Sequence, residues 1–161
     1  MKIPRASAVI SSVFGIGYFP VASGTVMSAV ALPFAVLIAV RGGGAMGLAG
    51  ASLIALVIGI LSCGEHVRIT GNTDPSECVI DELAGQWLAS AFVAWGAFSL
   101  PAFFVSFLLF RLFDIWKPWP VSWAEDNLPG GLGVMMDDIV AGLIAGALSF
   151  IVHYYGHNYG L

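Results

Sequence analysis

Charge is what this sequence has least of. It carries 6 basic and 10 acidic residues among 161, or 10%, while 58% of its residues are hydrophobic and the mean hydropathy is +0.91. Soluble domains carry about 25% charged residues, so composition excludes an ordinary soluble protein. There is no basic excess and no polar tract, which excludes a nucleic-acid-binding protein and a disordered chain. Cys63 and Cys78 are the only cysteines, too few for a disulfide-stapled secreted fold. The scarce charges are also unevenly spread. None falls in 6–40, 42–64, 83–110 or 139–161, so all 16 sit in the remaining 52 residues. Charge-free apolar runs longer than about 18 residues read as membrane spans.

The expected fold is all-α: one membrane-embedded domain over residues 1–161, a multi-pass bundle of four to five helices. A first span is expected at 25–40, after a segment broken by Gly15, Gly17, Pro20 and Gly24. A second runs from 45 to 64, after the turn Arg41-Gly42-Gly43-Gly44. The run 83–110 would be about 42 Å long as one helix, against a hydrocarbon core of about 30 Å. Gly96 and Pro101 divide it, predicting one helix that ends near Gly96 and another that restarts at Pro101. The last span covers 139–155 and closes on Tyr154-Tyr155-Gly156-His157, an interfacial aromatic end. Lys2 and Arg5 precede an apolar run, but Gly15, Gly17 and Pro20 interrupt it, so a cleaved leader is not expected.

With that hairpin, residues 1–24, 65–82 and 111–138 share one face. Lys2, Arg5, Arg68, Arg111 and Lys117 lie there and Arg41 alone lies opposite, so the shared face is expected to be cytoplasmic. The two later loops of this face hold all ten acids and only three bases, a net charge of −7. Carboxylates crowded at the ends of apolar helices repel one another unless they spread into water or share cations. Hard oxygen ligands of this kind suit Mg²⁺ or Mn²⁺.

Three clusters carry the acids. In 74–82, Asp74, Pro75 and Glu77 read as a helix start, with Asp81 one turn past Glu77 and Glu82 beside it. Asp81 and Glu82 lie deeper than a cap requires, and ionisable groups at membrane depth are functional by default. In 110–120, Arg111, Asp114 and Lys117 recur every third residue, either as a salt-bridge ladder or as a receptor for a phosphorylated head group. Trp116 and Trp119 fit headgroup depth, and Glu125 and Asp126 fall in an expected surface loop. In 130–138, Gly130, Gly131 and Gly133 allow amides to approach a phosphate or a helix to pack closely, and Asp137 and Asp138 head the last span. Near the N-terminus, Gly24 and Thr25 open the first span with free amides, and the Thr25 hydroxyl is the expected cap. His153 and His157 have helical spacing, more in keeping with an interface than with a metal site.

At these residues the chain resembles the phosphatidylglycerophosphatase A family. The resemblance is carried by Gly15-x-Gly17 with Ser23-Gly24-Thr25, by Asp81-Glu82-x-x-Gly85-x-Trp87, and by Phe110-Arg111-x-x-Asp114-x-Trp116-Lys117-Pro118-x-Pro120. It continues through Gly130-Gly131-x-Gly133-x-Met135-x-Asp137-Asp138-x-x-Ala141-Gly142. One departure is Ser23, where the family usually has proline. The resemblance implies an all-helical fold, Mg²⁺ dependence, and dephosphorylation of phosphatidylglycerophosphate in anionic phospholipid synthesis at a bacterial inner membrane. The wider family includes soluble members, but this composition argues for insertion.

Taken with the acid clusters, the resemblance makes Asp81, Glu82, Asp114, Asp137 and Asp138 the expected ligands of one or two Mg²⁺ ions and the expected catalytic residues. Arg111 and Lys117, with the helix start at Gly24 and Thr25, would hold phosphate, and Glu82 or Asp137 would be the general base. Other phosphatase chemistries fit poorly. The sixth residue after Cys63 is Ile69 and after Cys78 is Ala84, where a cysteine phosphatase needs Arg, and Asp-x-Asp is absent. His66 is the only histidine on the polar face. The rivals are a small cation-coupled transporter, which would place charges mid-helix and often repeat internally, and a non-catalytic scaffold. A homo-oligomer is compatible with the sequence.

Overall fold

A computed structural model describes residues 5–160, Arg5 by its backbone alone, so Lys2 and the Arg5 side chain lie outside the described residues. Among those residues the chain forms seven α-helices and no strand: α1 (Arg5–Ser11), α2 (Ser23–Arg41), α3 (Gly44–Thr70), α4 (Ile80–Val93), α5 (Leu100–Trp116), α6 (Val121–Asn127) and α7 (Gly130–Tyr159). The five long helices are those read from the sequence. The two additions, α1 and α6, are each only seven residues long.

Three helices are long and apolar enough to cross a bilayer: α2, α3 and α7. α2 stops where Gly42 donates its amide to Ile38 O at 2.7 Å, and Gly43 and Gly44 at φ 95° and 63° reverse the chain at once. α3 runs six residues past the expected 64, to Thr70, and ends on left-handed Gly71. At 27 and 30 residues, α3 and α7 are about 40 and 45 Å long, so their ends stand clear of a 30 Å core. α4 and α5, at about 21 and 26 Å, are shorter and form the expected hairpin. Ser99 caps α5 by accepting from Ala102 N at 3.3 Å, with Pro101 in the first turn.

Four local expectations need correction. The helix expected to start at Asp74 starts at Ile80, and Asp81 is not a turn beyond Glu77 on a common helix. Glu77 is drawn instead to buried His66 (Nε2–Oε1 2.7 Å), and the Val79 amide donates to Ser11 O at 2.9 Å, so tertiary bonds replace the capping box. Thr25 does not cap α2, whose N-cap is Ala22 with no side-chain bond. Glu125 and Asp126 lie on α6 rather than in a loop, because Val121 and Ala124 bury completely and anchor a helical turn. α7 starts nine residues before the expected 139, which leaves Asp137 and Asp138 inside the helix instead of at its head. The glycines explain this start: a Cβ on Gly131 would collide with Ile60 O, and one on Gly133 with Leu128 O. Close packing is realised at Gly131 and Gly133, while Gly130 has nothing within 4 Å.

α4 is the hub, packed against α2, α3, α5 and α7. In lipid there is little hydrophobic drive between helices, so close backbone approach and hydrogen bonds must hold them. A Cβ on Gly142 would come within 2.6 Å of Gly85 O, and one on Gly85 within 2.7 Å of Asp138 O. The α4–α7 crossing therefore sits one turn from Asp81 and Glu82 and directly on Asp138. Ser52 donates to Ala84 O at 2.8 Å and Trp87 Nε1 to Ala31 O at 3.1 Å, tying α4 to α3 and α2.

Candidate active site

At the end of the bundle where α4 and α7 begin and α5 ends, the chain encloses a cavity of about 880 Å³. Asp81, Glu82, Arg111, Asp114, Lys117, Asp137 and Asp138 all line it, and Gly24 joins them from α2. The sequence placed these residues on one face, and the structure places them in one chamber. Thr25 is not part of the lining.

Its core is a triad of carboxylates. Asp81, Glu82 and Asp138 each offer an oxygen within 4.8 Å of the others. The first two come from the opening turn of α4 and the third from α7, brought together by the Gly85–Gly142 crossing. Asp81 Oδ1 accepts from the Glu82 amide and Asp137 Oδ1 from the Asp138 amide, both at 2.9 Å, which fixes how each aspartate turns. Gly24 lies against Glu82 so closely that a Cβ would strike the carboxylate. That contact is a reason for glycine at this position which needs no phosphate.

The two cations are already engaged. Arg111 pairs with Asp114, three residues on, in surroundings where both side chains are almost buried. Lys117 does not continue the ladder. It takes left-handed backbone (φ 49°) as the C-cap of α5, and its ammonium reaches Glu125 Oε1 at 2.6 Å and Asp137 Oδ2 at 3.1 Å. Partial burial works against the Lys117 charge, but the bonds to Glu125 and Asp137 outweigh it and hold the ammonium above its ordinary range. The Lys117 ammonium thus stays charged beside the triad.

The triad is left without such a partner. Glu82 Oε2 and Asp138 Oδ2 are buried and accept no hydrogen bond, and Arg111 Nε likewise donates none. A buried carboxylate oxygen lacking a donor carries its full desolvation cost, and three carboxylates this close repel in a medium of low dielectric. A hard divalent cation among oxygen donors removes both penalties, so this donor set fits Mg²⁺ or Mn²⁺.

Two features were not legible from sequence spacing. Glu125 holds Lys117 across the mouth, and no periodicity links residues eight apart when a turn intervenes. The His66–Glu77 pair braces the 71–79 segment ahead of α4. A Cβ on Gly17 would overlap the Glu77 carbonyl, so the N-terminal segment closes over the same brace. A lone histidine on the acidic face was the available signal. At the far end, His153 Nε2 bonds Ala97 O at 2.8 Å and lies near His157 with the rings tilted, an arrangement in keeping with a helix-end contact.

The profile of the family described as Phosphatidylglycerophosphatase A matches residues 9–153. The chain is 36% identical over 156 residues to "Phosphatidylglycerophosphatase A" of Escherichia coli (strain K12), covering 96% of this chain and 88% of that one. It is 35% identical over 160 residues to a "Putative phosphatidylinositol-3-phosphatase" of Bacteroides thetaiotaomicron, covering 89% and 91%. No solved structure matches.

Proposed function

The chain belongs to the phosphatidylglycerophosphatase A family, and we propose that it hydrolyses the phosphate monoester of phosphatidylglycerophosphate at the carboxylate-lined cavity, with Mg²⁺ held there. The observation that carries this reading is the triad of half-buried Asp81 and Glu82 with buried Asp138, two of whose oxygens are buried and lack any donor. These three residues would hold the ion, with Asp114 and Asp137 at its border. A divalent ion so held supplies Lewis-acid polarisation of a phosphoryl oxygen and lowers the pKa of bound water.

The remaining work falls to the chain itself. Arg111 and Lys117 accept the phosphate charge, each trading part of its bond to Asp114, or to Glu125 and Asp137, for a phosphate oxygen. Because both are pre-paired, they are oriented before substrate arrives and need no rearrangement when charge develops. Glu82 or Asp137 takes the proton from the attacking water. The water oxygen bonds to phosphorus as the bond to the glycerol oxygen breaks, and that oxygen leaves with the proton the carboxylate took up. Closely packed glycines at Gly85 and Gly142 keep the α4 and α7 carboxylates in register.

Charges gathered in one cavity at one end of the bundle favour a hydrolase over a transporter, which would carry them near the midplane. The five-to-one bias of basic residues supports a cytoplasmic active face. The test is release of phosphate from phosphatidylglycerophosphate by purified protein, with Mg²⁺ and after chelation. Turnover that survives exhaustive chelation sinks the metal reading. Phosphatidylinositol 3-phosphate in parallel measures how far the head group matters, since the Bacteroides relative's name points to that ester.

A further inference from the structure

Between α1 and α2 the chain takes an unusual path. Val13, Phe14 and Gly15 adopt left-handed backbone in succession (φ 46°, 57° and 95°), and Ala22 does so again at φ 49°. For a β-branched residue this is uncommon, and such conformations persist only where the surroundings over-determine them. Here the inner side of the segment is pinned. Gly15 N donates to Ser12 Oγ at 3.1 Å, Gly17 N to Ser12 O at 3.0 Å, and Ser23 Oγ to Ser76 O at 3.0 Å. The outer side is the opposite: Phe14, Phe19 and Val21 are 89%, 54% and 70% exposed. The result is a rigid lip that holds apolar side chains away from the protein.

Its position identifies the partner. α2, an apolar helix long enough to span, begins at Ser23, two residues after Val21. The lip therefore lies where a spanning helix meets the membrane surface, the depth at which aromatic side chains concentrate. Phe19 and Pro20 also line the acidic cavity, so the lip is the boundary between that cavity and the lipid around α2. Trp119, 78% exposed beyond the end of α5, adds a further aromatic near Lys117.

We propose that residues 13–22 seat in the bilayer at the level of the glycerol esters and receive the diacylglycerol end of the substrate, leaving its phosphate over the carboxylates. This rests on the reading that the substrate is a membrane-held phosphate monoester. The lip lets a lipid present its head group without leaving the leaflet, and it favours esters embedded in a membrane over soluble ones.

Two measurements test it. A spin label on Val21→Cys in vesicles, with Cys63 and Cys78 buried, should meet dissolved oxygen more readily than a water-soluble nickel chelate. Greater access to the chelate, or spin–spin broadening from a second copy, overturns the seat. The second is the double variant Phe14→Ser with Val21→Ser, chosen because neither side chain lines the cavity or is buried. The ratio of kcat/KM for vesicle-held phosphatidylglycerophosphate to that for a short-chain water-soluble analogue should fall by at least about tenfold, which even partial loss of the lipid contacts of two apolar side chains would produce. A ratio that holds within about twofold overturns the substrate role, since contacts of that size cannot then be made. Hydrolysis of neither ester by the unaltered protein would defeat the function proposed above, while the label would still report where the lip sits.

Discussion

The two ends of α7 make a natural comparison. Near its start lies the cavity of about 880 Å³, and near its close a second of about 470 Å³, lined by Ser99, Pro101, His153 and His157 among others. Both hold ionisable side chains. At the far end His153 has found Ala97 O, and no carboxylate is among the described residues that line the cavity. At the near end, eight carboxylates meet two cations, and Glu82 and Asp138 each keep a buried oxygen without a donor. Unmet bonding capacity, rather than cavity size or the mere presence of titratable groups, is what separates a reactive site from a helix end.

That contrast can be broken most severely by neutralising the triad. Asp138→Asn or Asp81→Asn should lower Mg²⁺-dependent turnover by at least about a hundredfold, the scale of losing preorganised charge stabilisation. The folded protein should survive. In thermal unfolding, Mg²⁺ should raise the midpoint of the native chain, by up to about 2.7 kcal/mol of linkage at a hundredfold excess over its dissociation constant. It should do nothing for the Asp138→Asn chain. Full rate retained in both variants would show that the site lies elsewhere.

Next in size is Gly85→Ala, which touches no charge. Its Cβ would meet Asp138 O and the Phe110 ring within 2.7 Å, so α4 and α7 must part. Overpacking of this kind costs about 1–3 kcal/mol, and the triad should loosen with it, lowering activity and unfolding midpoint together. An unchanged midpoint would mean that the crossing is not what holds the carboxylates.

Lys117→Ala should have a smaller effect, raising KM and cutting kcat/KM by about tenfold through loss of one charge-assisted phosphate contact. Glu125→Gln should move KM in the same direction by less, since Lys117 keeps Asp137. Smallest is the control at the opposite end. His153→Ala removes one hydrogen bond, worth about 1 kcal/mol of stability, and should leave kcat/KM within about twofold. A large loss of activity there would erase the distinction between the two ends.

The sequence revealed the long helices and the helix hairpin because both depend on composition and local breakers. Gly96 and Pro101 did what glycine and proline do anywhere. It misled at Asp74-Pro75-x-Glu77, a sound local signal for a helix start, because His66 on α3 offered Glu77 a stronger partner. It misled again at Gly130-Gly131-x-Gly133, which reads as lying ahead of the last span until Ile60 and Leu128 are seen packed against Gly131 and Gly133. Thr25 was a reasonable cap by residue type, yet Ala22 took that place when Ser23 bonded Ser76 across 53 residues. Each miss is a long-range contact that overrode a local preference.

By itself, the sequence determined that this chain enters a membrane and that its acids gather on one side. Hydrocarbon excludes charge, and the spacing of apolar runs decides which residues it excludes. Only the tertiary structure decided which of ten acids meet. Whether Asp81 and Glu82 stand within reach of Asp138 depends on where α4 and α7 begin and how closely Gly85 and Gly142 cross, and those are properties of two surfaces in contact.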